Sequence, residues 1–494
     1  MITLDGKSLT CADVAAIGRR LTGVQISAEG VQRASAAAET ARALTEQAAA
    51  AGRAVYGRTT GVGFNRSIGV IPADERAVGL RLARSHASGA GPLLAPEVGR
   101  AMVAVRANQI AAGGSGVEAG VLGVLADSVN RGFRPPARRY GAIGTGDLTA
   151  LATTALCLLG ERDWLAAEGA SEPADGQPRF ALDPPDMLAF MSSNAVTLAE
   201  AAIACHDMSG LLTASTVIAA LSHLAVRASA EPYAAAVQLA GRHPGQIQIA
   251  RTLRQLLADE AGPQARVQDP YGYRALPQVH GAAVDAHARA DEVLVRELNS
   301  AAENPLIDVG GRRIWHNANF HTAYLSLALD SLRAAVCQTG ALSVARLGAL
   351  MDDRNTGLTP FLAMDTPPSS GLMIVEYSAH SALGDMRRLA APVVLGGAVL
   401  SVGAEEHAGF GAQAAWSATE TVRAYRVVLA CELVAAIRAL RLRDTRPAGR
   451  PLGRVFDRAD AVLPESVADR PLDGDLAAAE ELLDEVGSAI DPDR

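Results

Sequence analysis

Gly141-Ala142-Ile143-Gly144-Thr145-Gly146-Asp147-Leu148 is the stretch on which the reading of this chain turns. Ahead of it, Arg131–Arg139 with Pro135-Pro136 breaks any regular element. After it, Leu148-Thr149-Ala150-Leu151-Ala152 has helical character, and Asp147 stands where an N-cap belongs. Taken alone, Gly144-Thr145-Gly146 is a tight turn into a helix, a common arrangement. Its chemical asset is Thr145, whose β-hydroxyl is flanked by two residues without side chains.

Outward from this turn, 494 residues suffice for a large core and more than one subdomain. The chain is 49% hydrophobic but 4% aromatic, so its core is expected to be Ala, Leu and Val, and Ala-rich runs favour helices. Residues 11–50 have a helical pattern, and residues 54–70, rich in Gly and Thr, read as a loop. Helices are predicted at about 96–113 and 118–131, and residues 169–185 are expected to be exposed. Long apolar helical patterns follow at about 195–228, 280–300, 322–350 and 411–442, which points to a bundle of long packed helices. Strand signals are few. From Asp444 the chain is charged, with one late amphipathic stretch, Leu472–Ile490. The expected fold is all-α in three regions: a loop-bearing N-terminal region (1–200), a central long-helix bundle (201–443) and a helical tail (444–494).

Charge and motif content exclude several classes. The net charge is −8 and no Lys/Arg cluster occurs, which argues against a nucleic-acid partner. Cys11, Cys157, Cys205, Cys337 and Cys431 are scattered, without a Cys-x-x-Cys pair, so no zinc motif or disulfide framework is expected and a reducing cytoplasm fits. The N-terminus lacks a basic segment followed by an apolar run. Ala195–Val226, interrupted by Glu200, His206 and Asp207, and Leu389–Val402, short and containing Pro392, read as buried core and not as membrane spans. Gly6-Lys7-Ser8 and Gly114-Ser115-Gly116 lack the context of a nucleotide loop.

Further stretches carry chemistry. They are Val55-Tyr56-Gly57-Arg58-Thr59-Thr60-Gly61-Val62-Gly63, Arg84-Ser85-His86-Ala87-Ser88-Gly89-Ala90-Gly91 and Ser193-Asn194-Ala195. Then come Val267-Gln268-Asp269-Pro270-Tyr271-Gly272-Tyr273-Arg274-Ala275-Leu276-Pro277-Gln278-Val279-His280-Gly281, Asn299-Ser300-Ala301-Ala302-Glu303-Asn304-Pro305-Leu306, Asn317-Ala318-Asn319-Phe320-His321 and Ala404-Glu405-Glu406-His407. In this order, from about residue 50 to 411, they resemble the histidine and phenylalanine ammonia-lyases and the related aminomutases. In that family the loop reads close to Gly-Ser-Val-Gly-Ala-Ser-Gly-Asp-Leu, and its Ala-Ser-Gly closes and loses water to give 4-methylideneimidazol-5-one (MIO). Here Gly144-Thr145-Gly146 stands in its place; alternatively, Gly141–Gly144 matches Gly-Ser-Val-Gly and the Ala is missing. Ring closure needs attack on a carbonyl by the amide nitrogen two residues on, loss of a β-hydroxyl, and a compressed loop. Thr145 has the hydroxyl and would leave an ethylidene, a more hindered electrophile. Both outcomes, an MIO-like group or none, stay open.

The resemblance implies an all-α homotetramer whose active sites draw Tyr56, the Gly144–Gly146 turn and Tyr271 from different subunits. It implies Tyr56 as the base for the β-proton, which requires a lowered phenol pKa. Arg58 supplies charge for that, binds an anionic group, or faces solvent. His86 lines the substrate pocket, although a lone His is more often structural. Asn194 donates to the ring or the substrate, Tyr271 sits beside the ring, and Phe320 packs against it. Arg274 pairs with a substrate carboxylate. Glu405 meets the substrate amine or imidazole, whereas Glu406 reads as a solvated acid. The partner implied is a small amino acid or analogue, and the reaction loss or movement of its amino group. Two alternatives remain: a ring-independent lyase, cyclase or addition enzyme on the same fold, and a silent scaffold, which would have no reason to keep both tyrosines and the arginine.

Overall fold

The computed structural model describes residues 1–70, 75–166, 176–260 and 264–490. In chain order the helices are α1 (Cys11–Gly18), α2 (Ala28–Ala50), α3 (Glu75–His86), α4 (Pro96–Ala112), α5 (Val121–Arg131), α6 (Leu148–Leu159), α7 (Met187–Met191), α8 (Ala195–Val226), α9 (Ala235–Gly241), α10 (Pro244–Leu256), α11 (Tyr271–Arg274), α12 (Leu276–Leu298), α13 (Ala323–Met351), α14 (Asp353–Thr356), α15 (Met373–Leu389), α16 (Gly411–Leu442), α17 (Arg450–Val462) and α18 (Asp473–Gly487). Among the described residues, strands are limited to three short pairs: β1 (Ile2–Leu4) with β2 (Val24–Ile26), parallel, and β3 (Ala90–Leu93) with β4 (Arg138–Tyr140) and β5 (Leu306–Asp308) with β6 (Arg313–Trp315), antiparallel. The fold is all-α, as expected.

Two compact units share the chain. The first comprises Met1–His206, Asp291–Leu329 and Pro392–Trp416; the second comprises Asp207–Ala290, Asp330–Ala391 and Ser417–Arg494. In the first unit α4 is the central element, buried from Val98 to Ala111. A helix buried all round is expected to be apolar, yet α4 carries Arg100, Arg106, Asn108 and Gln109, and each has a partner, as burial requires. Arg100 Nε donates to the Gly18 carbonyl (2.8 Å), and Asn108 Nδ2 to the Leu298 carbonyl (3.0 Å). Arg106 binds Glu303 at 2.8 Å and donates to the Phe190 and Ala189 carbonyls. Both side chains of that pair are 1% exposed, so removing one partner would cost about 3–5 kcal/mol.

The second unit also has a polar centre. Arg346 and Glu432, fully buried, form a bidentate pair at 2.6 and 2.7 Å, and Ser222 donates to the same carboxylate. Tyr233, Tyr273 and Tyr425 are buried in this unit. His280 lies between Thr339 Oγ1 (2.6 Å) and the Leu212 carbonyl (2.8 Å). Burial pulls His280 down to about 4 and His223 to about 4.

The four long helices fall where the apolar patterns put them; α16 spans residues 411–442, as expected. Two helical stretches, Pro184–Val226 and Ala323–Met351, are long and apolar enough to cross a membrane, and 78% of the apolar window of the first is buried inside the fold. Leu389–Val402 overturns its expectation. Beyond the end of α15 it is irregular and exposed, with Leu395 82%, Val399 70% and Val402 87% accessible. Pro392 and Gly396-Gly397 stop the helix here, and without a helix the segment has no apolar face to dock. Of the stretch expected to be exposed at 169–185, residues 169–175 lie outside the described residues, and the remainder is mixed, with Pro178 and Leu182 buried.

Candidate active site

The Gly144–Gly146 turn is set by backbone geometry. Gly144 has φ +88° and Gly146 φ +111°, values that glycine alone adopts at little cost. Space enforces the first of these as well. A Cβ on Gly144 would lie 2.4 Å from Thr322 Oγ1 and 2.6 and 2.7 Å from the amide nitrogens of Gly411 and Phe410.

Each neighbour holds one backbone group of the turn. The Ile143 carbonyl accepts from the Phe410 N–H (2.7 Å). The Gly144 carbonyl accepts from the Thr322 N–H (3.2 Å) and from Thr322 Oγ1 (2.9 Å). The Gly146 N–H donates to Asn194 Oδ1 (3.0 Å), and the Asp147 N–H to the Ser193 carbonyl (2.7 Å). Thr322, Phe410, Asn194 and Asp147 immediately precede α13, α16, α8 and α6. The turn therefore sits against four helix N-termini, whose partial positive charge favours negative charge developing there.

Two side chains behave differently from their sequence reading. Asp147 occupies the N-cap position of α6 but does not cap it. Its carboxylate instead accepts from the Thr197 N–H (2.8 Å) and Thr197 Oγ1 (2.9 Å), in the first turn of α8. Burial pushes it up to about 6 against these donors. Asn194, expected to donate to a ring or substrate, is 3% exposed and uses both ends of its amide on backbone: Oδ1 on Gly146 and Nδ2 on the Phe320 carbonyl (2.6 Å). It is a clamp between two loops.

Beside the turn, within the first unit, opens a cavity of about 460 Å³. Tyr56, Thr145, Gly146, Phe320 and Glu405 share its lining, together with Asn304 and His316. The Gly63 N–H donates to Tyr56 Oη (3.1 Å) and fixes where the phenol points; the Tyr56 N–H donates to His316 Nε2 (3.3 Å). Ser401 Oγ donates to Glu405 Oε1 (3.1 Å). Ser401 and Val402 have φ +52° and +56°, an unfavourable conformation for a β-branched residue, of the order of 1–3 kcal/mol. This strained pair aims the Glu405 loop. Glu406 is exposed, in keeping with a solvated acid.

The remaining expected residues lie elsewhere. His86 ends α3, with Nδ1 against the Leu82 carbonyl (2.9 Å), and is not among the residues lining the cavity. Arg58 neither faces solvent nor lines the cavity: it is 7% exposed and bound to Asp186 (3.3 Å) and the Gly116 carbonyl (3.0 Å). Tyr271 and Arg274 belong to the second unit. Tyr271 is 67% exposed, and the Arg274 guanidinium stacks on its ring at 4.4 Å while donating to Gln268 Oε1 (2.9 Å).

Sequence reading passed over His316, which follows β6 and stands immediately before the Asn317–His321 motif. It also passed over the contact between His321 Nε2 and His407 Nδ1 at 3.0 Å, which joins two of the quoted motifs. Burial, then the neighbouring His407, pulls His321 down, since the two imidazoles resist being charged together.

This chain matches the family model described as aromatic amino acid lyase over residues 9–461. It is 36% identical to a histidine ammonia-lyase of Sorangium cellulosum over 501 residues, covering 97% of this chain and 96% of the relative. Among solved structures it is similar to the ergothioneine-degrading enzyme ergothionase of Treponema denticola, solved in complex with desmethyl-ergothioneine sulfonic acid (25% identity, TM-score 0.89, 99% of each chain). It is also similar to tyrosine aminomutase of Streptomyces globisporus (26% identity, TM-score 0.90, 99% of this chain and 97% of the other). The chain belongs to the aromatic amino acid lyase family, carbon–nitrogen lyases built around an autocatalytic MIO group.

Proposed function

We propose that this enzyme eliminates, or moves, the α-amino group of a histidine-like amino acid or a close analogue. The observation that carries this reading is the convergence of Tyr56, Thr145–Gly146, Phe320 and Glu405 on one cavity beside four helix N-termini. Tyr56 Oη removes the β-proton. Glu405, held by Ser401, meets the imidazole or the amine. The histidine ammonia-lyase relatives support an imidazole-bearing substrate. Phe320 forms an apolar wall. Arg274 takes the substrate carboxylate, and Tyr271 stands beside the reacting carbon. In this reading Tyr271 and Arg274 serve a neighbouring subunit of a homotetramer. The exposed Tyr271 ring, with Arg274 stacked on it, and the uncovered Leu395, Val399 and Val402 favour such an assembly.

The residues of the turn fit an MIO-like group. The carbonyl to be attacked, Gly144, is polarised by two Thr322 donors, the Gly146 N–H has an acceptor in Asn194, and Thr145 has a hydroxyl to lose. When present, such a group supplies an electrophilic alkene that takes up the departing amine. One observation favours a second reading. A Cβ has no place at Gly144, which favours the alignment in which the family's Ala has no counterpart. Tyr56 and Arg274 would then expel a leaving group that departs without electrophilic help.

Intact mass of the purified chain decides between the two. The first reading expects a mass lower by two waters and a near-ultraviolet band absent from Thr145→Ala. An unmodified mass sinks the ring and leaves the second reading. Under both, Tyr56→Phe abolishes formation of the α,β-unsaturated product; full activity in that variant removes Tyr56 from the mechanism.

A further inference from the structure

Cys11, Cys205 and Asp291 come from three different helices, α1, α8 and α12, and none lines the catalytic cavity. Cys11 is 3% exposed and Cys205 1%, while Asp291 is half-buried. One ligand atom from each, two thiol sulfurs and a carboxylate oxygen, all lie within 4.8 Å of one another. We propose that these three side chains bind a thiophilic divalent cation of the Zn²⁺ class.

Dimensions and donor chemistry both support the assignment. In a tetrahedral site with Zn–S of about 2.3 Å and Zn–O of about 2.1 Å, neighbouring ligand atoms stand roughly 3.5–3.8 Å apart. The present separations, at most 4.8 Å, reach that by closing about 1.3 Å or less. Two sulfurs and one carboxylate select a borderline-soft ion over Mg²⁺ or Ca²⁺, which take oxygen. The half-buried Asp291 gives the ion a way in, and a water completes the fourth position. Without a cation the trio is electrostatically awkward. The Cys205 thiol, burial and the Asp291 carboxylate push the Cys11 thiol up.

The consequence is structural. An ion here staples α1 to the N-terminal third of α8, the helix whose first turn holds Asp147 and whose preceding residue, Asn194, clamps the Gly144–Gly146 turn. Chain spacing hides the site, because its ligands lie far apart in sequence and form no Cys-x-x-Cys pair.

The test uses full-length protein, reduced, stripped with chelator, and titrated with Co²⁺ against its own metal-free baseline. The expected result is one equivalent bound per chain, with thiolate-to-cobalt charge transfer in the near ultraviolet, visible bands of tetrahedral Co²⁺, displacement by Zn²⁺, and a higher Tm with Zn²⁺. Cys11→Ser and Cys205→Ser lose the charge-transfer band, Asp291→Asn weakens binding about 10-fold or more, and Cys157→Ser changes nothing. Wild-type protein that shows no saturable cobalt band overturns the proposal, whatever the variants do. So does a band that survives in the double Cys11→Ser/Cys205→Ser variant. A chain isolated two hydrogens light, with Cys11 and Cys205 cross-linked, also overturns it in favour of a disulfide.

Discussion

The Gly144–Gly146 turn and the Tyr271–Arg274 motif are both quoted stretches of the family pattern, yet they are finished to very different degrees. Around the turn, the carbonyls of Ile143 and Gly144 and the N–H groups of Gly146 and Asp147 all have partners, and both glycines are buried. Tyr271 leaves 67% of its surface accessible and rests on Arg274. A unit can complete a site made of its own backbone, since every donor and acceptor comes from helix ends it already packs. Side chains that serve a substrate, or a neighbouring subunit, stay exposed until that partner arrives. Substitutions in the first region should therefore act mainly through stability, and those in the second mainly through activity.

The largest contrast is expected from Gly144→Ala. Its Cβ has no room and its φ is unfavourable, so urea denaturation should record a loss of about 3 kcal/mol or more, together with loss of activity. Tyr271→Phe should leave stability within about 0.5 kcal/mol while lowering turnover about 100-fold or more. A stable, active Gly144→Ala protein, or a Tyr271→Phe protein that unfolds, breaks the comparison. Asn194→Ala leaves the Gly146 N–H and the Phe320 carbonyl unpaired, with an expected cost of about 2–4 kcal/mol. If that variant kept full stability and lost only kcat, Asn194 would be a substrate contact and not a clamp. Glu405→Gln should leave the Tm nearly unchanged and raise KM for the imidazole-bearing substrate more than it lowers kcat.

The smallest effect expected is on the pH dependence of stability. His280 and His223 sit near 4 in the folded chain, below an ordinary 6.5. Their contribution is complete above about 6.5 and is lost as pH falls toward 4. Asp147, raised from 3.8 to about 6, acts oppositely: its contribution is complete below about 4 and fades as pH rises to 6. Between pH 4.5 and 6.5 the two histidines therefore tilt Tm upward with pH, and Asp147 tilts it downward, as do Asp186, Glu297 and Glu303, whose carboxyls burial also pushes up. Compared with the unsubstituted protein, His280→Gln should make Tm rise less steeply with pH and Asp147→Asn more steeply; a His280→Gln profile parallel to the unsubstituted one would remove that histidine from the account.

Much of this was legible from residues alone. Helices α4, α8, α13 and α16 follow apolar patterns long enough to leave no rival element, and Tyr56, Thr145, Phe320 and Glu405, named from motifs scattered along the chain, share one cavity. What stayed hidden was tertiary. A side chain at an N-cap position advertises its own helix, so nothing local revealed that Asp147 reaches across to Thr197. An amide beside an electrophile invites a ligand role, whereas Asn194 holds two backbones. Apolar composition made Leu389–Val402 look like core, since hydrophobicity records a need for cover without naming what provides it.

The Asp147 link to the start of α8 has a consequence in time. Until Thr197, Thr322 and Phe410 are docked, the turn that carries Thr145 has only its neighbouring residues to shape it, and a free Gly-Thr-Gly segment explores far more conformations than cyclisation permits. Any chemistry that converts Thr145 must therefore wait for the starts of α8, α13 and α16 to seat. Maturation of the catalytic group would thereby become a late checkpoint of folding, passed only by chains whose helices have already found one another.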